Sequence, residues 1–413
     1  MPDVSFVNLL VVVAVAVLAP LTIGFFPRLR IPAVVLEIVG GIIIGPSVLG
    51  WVHVDLPVAI LALFGLAFLL FLAGLEIDVH RLRGRLLRFA LFGYLVTLVL
   101  GYGAATTFDA AGWVSQPLLL AIALSATSLG LVVPVLKDAG QVHSEVGQSA
   151  LAAASIADFG AIVLLSLFFS SSGGSTGSKV VVLGAFAGLV AVTGLAVTGA
   201  ARSMRLGQVL VRLQDTTAEI RVRFAVLLLV AFTFLAGRFG LESILGAFLA
   251  GAIVGLVDRD SSSHPRFRAK LEGIGYGFLV PVFFVSSGIK LDLTGLLHSP
   301  SALVRVPVFL LALLVVRGVP ALLGLRANGP RATLALGLLQ ATSLPFIVTA
   351  TQIGVTLGKI TPVTAAALVC AGLLSVLIFP LSALTLLRGG KTESAEPEPA
   401  EAAAEPVPEP RLM

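Results

Sequence analysis

A single aspartate stands inside a long apolar run, and it is the residue of this chain best suited to ion chemistry. Asp158 lies near the middle of a run from about 145 to 170, which is long enough to cross a bilayer. A charged side chain at that depth costs about 2.5–3.5 kcal/mol on insertion scales and persists mainly beside a polar cavity or a partner. Small residues that let neighbouring helices approach surround it: Gly147, Ala150, Ala152, Ala153, Ala154, Ala157 and Gly160. We expect Asp158 to bind a cation and a proton in turn within the membrane.

Three hydroxyl groups are candidates to complete the site around Asp158. Ser155 lies on the same apolar run, whereas Thr127 and Ser128 lie on the preceding one. Carboxylate, hydroxyl and carbonyl oxygens suit hard cations such as Na⁺, K⁺ and Li⁺. An empty, charged carboxylate is too costly to carry through an apolar barrier, so such a site moves only with a cation or a proton bound. This restriction would couple the two fluxes of an antiporter.

Two other ionisable residues fall within apolar runs, and each has two interpretations. Arg317 either neutralises the C-terminal dipole ends of helices in the protein core or pairs directly with Asp158. Glu37 is either a second cation or proton group or a hydrogen-bonded residue in helix packing. The single cysteine, Cys370, excludes an internal disulfide and a cysteine metal site.

The composition is that of a polytopic membrane protein. Apolar residues make up 57% of the chain and charged residues 12%, whereas a soluble protein is about 25% charged. A hydrocarbon core about 30 Å thick needs about 20 helical residues. The apolar runs predict thirteen spans at about 6–27, 32–50, 57–77, 87–108, 116–137, 145–170, 179–201, 222–238, 241–257, 271–289, 303–325, 330–352 and 360–387.

The basic residues predict how these spans are oriented. Connections after odd-numbered spans, together with the C-terminal end, hold 21 of the 27 Lys and Arg residues, and the opposite side holds five. The positive-inside rule then places the N-terminus outside and the C-terminus in the cytoplasm. Because the basic residues lie in loops between spans, the net charge of +5 does not indicate a nucleic-acid partner.

The two halves of the chain match each other in three places, in the same order. The matched segments are 41–45 with 251–255, 74–78 with 288–292, and 126–129 with 341–344. Corresponding spans differ by seven, an odd number, so the halves have opposite orientations, which is a transporter architecture. We expect a first repeat with a linker helix at 1–201, a second repeat at 202–388, and a disordered cytoplasmic tail at 389–413.

The fifth and twelfth spans are the candidates for broken helices. Both carry a Thr-Ser pair in mid-span, Thr127-Ser128 in one and Thr342-Ser343 in the other, and Pro345 follows the second pair. Backbone groups freed by a break need partners or a water-lined cavity. The alternative is that the hydroxyls bond back to their own helix and the proline merely kinks it. Because the motif occurs twice in matched positions, we favour two breaks.

These motifs resemble the monovalent cation:proton antiporter-2 family, which includes bacterial sodium/proton antiporters and potassium efflux systems. The resemblance covers about residues 6–388. It rests on residues 32–50, 71–78, 126–128, 157–158, 245–251 and 281–288, and on Arg317. It implies a homodimer in the bacterial inner membrane, with a dimerisation domain that holds a moving six-helix core. It also implies two crossed, broken helices, a cation-binding carboxylate at Asp158 and an intramembrane cation at Arg317. Neither enzyme activity nor a cofactor is expected.

Two departures from the family pattern affect the expected stoichiometry. Relatives usually carry a polar residue before the aspartate, where this chain has Ala157, and many carry an acidic motif where it has Gln340. Since an arginine stays protonated in proteins, Arg317 adds no exchangeable proton. One proton then remains, which predicts electroneutral exchange of one H⁺ for one Na⁺ or K⁺.

Two alternative transport functions remain open at this stage. One is a gated K⁺ efflux system that resembles a channel, and the other is a sodium-coupled organic-anion symporter. Saturable, proton-coupled cation flux would distinguish an antiporter from the first, whereas symporters of the second kind usually have fewer spans and more polar sodium sites. An intramembrane aspartyl protease needs two facing aspartates, and Asp158 alone is clearly within a span.

Overall fold

Helices make up all the regular structure that the computed structural model describes. It describes residues 6–26, 31–76, 84–138, 140–142, 144–169, 176–201, 219–257 and 265–392. In lipid a helix satisfies its own backbone hydrogen bonds, which explains this uniformity. The α-helices are α1 (Val7–Phe25), α2 (Ala33–Ile44), α3 (Leu56–Leu75), α4 (Gly84–Ala110), α5 (Pro117–Ser125), α6 (Leu129–Asp138), α7 (Glu145–Phe169), α8 (Thr176–Ala201), α9 (Ile220–Arg238), α10 (Ser243–Val257), α11 (Pro265–Ile274), α12 (Val280–Ile289), α13 (Leu293–Leu297), α14 (Pro300–Gly318), α15 (Leu325–Ala341), α16 (Pro345–Thr356) and α17 (Pro362–Thr392).

Each of the thirteen expected spans coincides with one helix or with a pair of consecutive helices. The pairs are α5 with α6, α11 with α12, and α15 with α16. Among the described residues, eight helical stretches are long and apolar enough to cross a membrane, and three further apolar helices are shorter. The predicted all-α, multi-pass membrane architecture is confirmed.

The spans fall into two groups according to their packing. Helices α1–α3, α9, α10 and α12 pack on one another, and we call them the scaffold. Helices α4–α7 and α14–α17 pack on one another, and we call them the core. The core comprises six spans, two of which are interrupted. Helix α8 contacts α7 of the core and α10 of the scaffold, so it connects the two groups.

Four glycines form two close helix crossings in the scaffold. Helix α2 crosses α12 at Gly41 and Gly288, and α3 crosses α10 at Gly74 and Gly251. At each glycine a Cβ atom would overlap backbone atoms of the facing helix, so only glycine permits this approach. The internal repeat matches Gly41 with Gly251 and Gly74 with Gly288. The two crossings of the scaffold are therefore equivalent positions of the inverted repeat.

Both predicted helix breaks are present, and they meet. The span of α5 and α6 is interrupted at residues 126–128, which we call the first break, and that of α15 and α16 at 342–344, the second break. The N–H of Ser128 donates a hydrogen bond to the carbonyl oxygen of Thr342 over 3.0 Å. Pro345 begins α16, where its missing N–H leaves no helical bond unmade. The two crossed discontinuous helices of the predicted fold are thus confirmed.

The tenth span contains a π-helical turn between two α-helices. Helix α11 carries four charged residues and continues through a π-helical turn, Gly275–Leu279, into α12, whose residues are all buried. A π turn holds more residues than an α turn and so shifts the faces of the helix that follows it.

Some expectations concern residues outside the described ranges. They include the tail beyond residue 392 and the end of the 74–78 motif. The division into repeats at 1–201 and 202–388 and a tail at 389–413 stays a prediction.

The close crossings predict a sharp difference between glycines. Gly251→Ala should lower the free energy of unfolding by roughly 1–3 kcal/mol, because the new methyl group overlaps the backbone of Phe71. Thermal unfolding in detergent micelles measures the effect. The control is Gly184→Ala in α8, where no atom lies within 4 Å of the added Cβ. Equal melting temperatures for the two variants would contradict the close approach.

Candidate cation site

The carboxylate of Asp158 closes the first break. It lies on α7, and the residue is only 9% exposed. Its Oδ1 accepts a hydrogen bond from the N–H of Thr127 at 3.1 Å, and its Oδ2 accepts one from the N–H of Leu129 at 3.2 Å. Leu129 begins α6, so the carboxylate stands at the positive end of that helix dipole. Each oxygen keeps a further lone pair that can accept a proton or a cation.

Thr127 connects this carboxylate to the buried arginine. Its N–H binds Asp158, and its hydroxyl donates to the carbonyl oxygen of Gln340 at 2.8 Å. The same hydroxyl oxygen accepts hydrogen bonds from Nε of Arg317 at 2.9 Å and from its Nη2. The Thr127 hydroxyl therefore makes three hydrogen bonds within the protein, and its part in cation binding stays a prediction.

Arg317 belongs to α14, and its guanidinium lies at the C-terminal end of α15, just before the second break. The residue is 1% exposed. Its Nε also approaches the carbonyl oxygen of Gln340 at 3.3 Å, and its Nη1 donates to the Thr97 hydroxyl at 3.2 Å. Within the described residues no ion pair joins Arg317 to Asp158. The geometry thus favours the first interpretation, in which the guanidinium neutralises the negative end of a helix dipole.

Two hydroxyls beside Asp158 keep their hydrogen-bonding capacity. Ser128 lies in the first break and Ser155 lies on α7 one turn before Asp158, and both residues are buried. Neither hydroxyl makes a hydrogen bond to another residue in the described ranges. Residues three apart share a helix face, so Ser155 and Asp158 point the same way. These two oxygens can join the carboxylate around a cation.

Other residues singled out in the sequence lie elsewhere. Thr342 and Ser343 form the second break with Leu344, and the Thr342 hydroxyl bonds back to the carbonyl of Leu338 at 3.1 Å. Glu37 is buried on α2, in the scaffold, and its side chain makes no hydrogen bond to another described residue. The hydrogen-bonded packing proposed as one interpretation of Glu37 is therefore not seen.

Helix α4 supplies polar residues that sequence reasoning missed. Thr97 binds Arg317, and the phenol oxygen of Tyr94 lies 3.2 Å from the hydroxyl of Ser125, the last residue of α5. The ring of Tyr94 packs directly against Gly160 on α7. The sequence signal that could have found them is a tyrosine and a threonine three residues apart within an apolar span. This spacing places both side chains on the same face of a helix.

A cavity of about 400 Å³ lies between the scaffold and the core, near the helix ends. Its lining includes Glu242, Lys290 and Gln352. Burial lowers the pKa of Lys290, which lies just beyond the end of α12. Gln352 of α16 donates a hydrogen bond to the Ser287 hydroxyl of α12 at 2.9 Å, which joins core to scaffold.

Comparison with known proteins places this geometry in a family. The model of the transmembrane sodium/hydrogen exchanger family matches residues 13–389. The chain belongs to this family of monovalent cation:proton antiporters. A solved structure, the sodium proton antiporter MjNhaP1 from Methanocaldococcus jannaschii, matches with a TM-score of 0.65 at 19% identity and covers 92% of this chain and 96% of that one. At this identity the likeness shows the fold.

Two curated relatives match this chain over different shares of their own length. "Putative Na(+)/H(+) antiporter YjbQ" of Bacillus subtilis (strain 168) is 32% identical over 400 residues, which are 92% of this chain and 63% of that protein. The "Na(+)/H(+)-K(+) antiporter GerN" of Bacillus cereus is 29% identical over 273 residues, 65% of this chain and 68% of that protein. The chain thus spans less than two thirds of the length of YjbQ.

The bridging role of Thr127 gives a prediction for stability. Thr127→Val keeps the N–H that binds Asp158 but leaves the Gln340 carbonyl and the Arg317 guanidinium each short of a partner. The free energy of unfolding should fall by about 1–3 kcal/mol, the cost of a buried unsatisfied polar group. Thermal unfolding in detergent measures it. The control is Thr107→Val, whose exposed hydroxyl bonds only to its own helix. Equal melting temperatures for Thr127→Val and Thr107→Val would contradict the proposed link between Asp158 and Arg317 through Thr127.

Proposed function

We propose that this chain exchanges a monovalent cation, Na⁺ or K⁺, for H⁺ across the membrane by alternating access at Asp158. A lone buried carboxylate, held by backbone N–H groups where two broken helices meet, is the observation that carries this proposal. Membership of the sodium/hydrogen exchanger family supports cation/proton exchange as the reaction.

The chemistry of the site follows from the competition for one carboxylate. When the proton leaves, Asp158 offers two oxygens that already accept one N–H each. A dehydrated alkali cation binds there, with the hydroxyls of Ser128 and Ser155 and carbonyl oxygens of the break as further ligands. A proton that arrives neutralises the carboxylate and releases the cation. Either occupant cancels the charge, and the core moves only in those two states.

Arg317 acts as a fixed charge in this cycle. A guanidinium remains protonated, and its donors are held by Thr127, Thr97 and the Gln340 carbonyl. The neighbour of Asp158 is Ala157, which carries no titratable group. One proton is therefore exchanged for one cation, and each turnover moves no net charge.

The division into scaffold and core supports alternating access as the movement. The groups pack extensively within themselves, and their main contacts with each other run through α8 and between α7 and α10. The Gln352–Ser287 hydrogen bond spans the boundary at one end of the molecule, and the Ser166 hydroxyl accepts the N–H of Glu242 there. We propose that the core tilts against the scaffold, and that these bonds form and break during the cycle.

Several finer properties belong to the same proposal. The name of GerN includes both Na⁺ and K⁺, so both cations are substrates to test, with Li⁺ as a third. The Lys and Arg distribution supports an external N-terminus and a cytoplasmic C-terminus in a bacterial inner membrane. A homodimer is the expected assembly, and exposed apolar side chains of α1 are available to lipid or to a second subunit.

Removal of the carboxylate should abolish exchange. Asp158→Asn preserves the shape of the side chain but cannot alternate between an anion and a neutral acid. We expect Na⁺- and K⁺-driven proton flux, followed with a pH-sensitive dye in everted vesicles, to fall at least about a hundredfold, as for loss of an essential charged group. The matched control is Asp109→Asn, an exposed carboxylate on α4. Full exchange by Asp158→Asn would overturn the proposal.

Electroneutral exchange predicts independence from the membrane potential. The assay uses proteoliposomes that have the same cation gradient and the same proton gradient with and without a potential. A potential of about 100 mV is worth about 2.3 kcal/mol for each net charge moved. The initial rate of exchange should therefore be the same with and without a valinomycin-imposed potential, measured with Na⁺ as the transported cation. An acceleration or a slowing by the potential would show that each turnover moves net charge, so that the exchange is not one proton for one cation.

A further inference from the structure

Ser375 on α17 holds the second break to the rest of the core. The N–H of Ser343 donates to the hydroxyl oxygen of Ser375 at 3.2 Å. The Ser375 hydroxyl lies 2.7 Å from the Gly372 carbonyl oxygen and 3.1 Å from the Ser343 carbonyl oxygen, and shares its one proton between them. Ser343 and Ser375 are both fully buried. One hydroxyl thus serves both backbone polar groups of a residue in the break.

Ser375 lies two residues after the position in the second repeat that the offset of the break motif matches with Asp158 in the first. Asp158 lies 31 residues after Thr127 and 29 after Leu129, the two residues whose N–H groups it accepts. Ser375 lies 32 residues after Ser343. Each stands on the helix that directly follows a broken span, α7 in one repeat and α17 in the other. The same structural task is performed by a carboxylate in one half and by a neutral hydroxyl in the other.

Helix α17 packs closely against the second break at Gly372. A Cβ atom on Gly372 would lie 3.1 Å from the carbonyl oxygen of Ser343 and 3.2 Å from a methyl group of Leu344. The hydroxyl of Ser343 is buried and without a hydrogen-bond partner in the described ranges. The link between α17 and the break therefore depends on the backbone of Ser343 and on the hydroxyl of Ser375.

A continuous path of contacts leads from Ser375 to Asp158. Ser375 binds Ser343, and the adjoining Thr342 carbonyl accepts the N–H of Ser128 at 3.0 Å. Ser128 lies between Thr127 and Leu129, the two residues that donate to Asp158. A displacement of the second break is therefore transmitted to the N–H groups that hold the carboxylate.

We propose that Ser375 is a positioning residue for exchange, which fixes the second break and through it the donors around Asp158. This inference rests on the proposed function, since it concerns the same site. Ser375 does not touch the transported ion. A hydroxyl can accept one N–H and donate one proton without adding a charge. The core therefore keeps one exchangeable charge although both of its breaks are held from the following helix.

The test compares Ser375→Ala with Ser375→Thr, which restores a hydroxyl, and with a matched control. The control is Ser382→Ala on the same helix, whose hydroxyl bonds to the Ile378 carbonyl of its own helix. We expect Ser375→Ala to reduce the maximal rate of Na⁺-driven proton flux at least about fivefold, because a buried N–H is left unpaired. Its pH profile should also shift, Ser375→Thr should regain most of the rate, and Ser382→Ala should match the native chain.

Amide hydrogen exchange separates failure of this proposal from failure of the proposed function. Exchange at residues 126–129 and 342–344 should be faster in Ser375→Ala than in Ser382→Ala, whatever the chain transports. If Ser375→Ala does not fold, Ser375→Cys replaces it, because a thiol of similar shape makes weaker hydrogen bonds. Equal flux, equal pH profile and equal amide exchange in the Ser375 and Ser382 variants would overturn the positioning role. An inactive native chain with faster amide exchange in Ser375→Ala would overturn the proposed function and the role in transport, leaving only the structural link.

Discussion

The hydrogen bonds from the first break to Asp158 are the interaction on which the rest of the core depends. A helix interrupted within lipid exposes N–H and C=O groups that have no water to bind, and each one left unpaired costs several kcal/mol. The carboxylate serves two N–H groups of the first break. Further freed groups, of Ser128, Thr342, Ser343 and Gln340, are served by the other break and by side chains of neighbouring helices. The breaks persist because these partners are all present together.

The electrostatic arrangement of the core follows from the direction of its broken helices. A carboxylate stands at the start of α6 and a guanidinium at the end of α15, each beside the helix terminus of opposite partial charge. Thr127 separates the two charges while it binds both of them. In the proposed cycle the arginine, which is held by several acceptors, stays in place when the aspartate changes its occupant. One charge is then permanent and the other is exchanged.

The sequence was sufficient for the spans, for the two breaks and for placing Asp158 within a span, but not for the partners of Arg317. Apolar length determines where a chain crosses lipid, and a lone charge in such a run is readily seen. Whether Arg317 reaches Asp158 or the Gln340 carbonyl depends on how α14 is rotated and on where the breaks meet, which no local pattern contains. Thr97 was missed because hydroxyls in apolar helices ordinarily bond to their own backbone, as Thr97 itself also does with Gly93.

The π-helical turn between α11 and α12 lets one continuous helix meet two unrelated demands. Upstream of the turn, the charged residues of α11 belong beside water or lipid headgroups, whereas downstream Gly288 must face α2 for the close crossing to form. The widened turn adds about one residue to the winding and so changes the angular relation between these faces by about 100°. The charged face of α11 and the face of α12 that carries Gly288 can therefore point in different directions within one continuous helix.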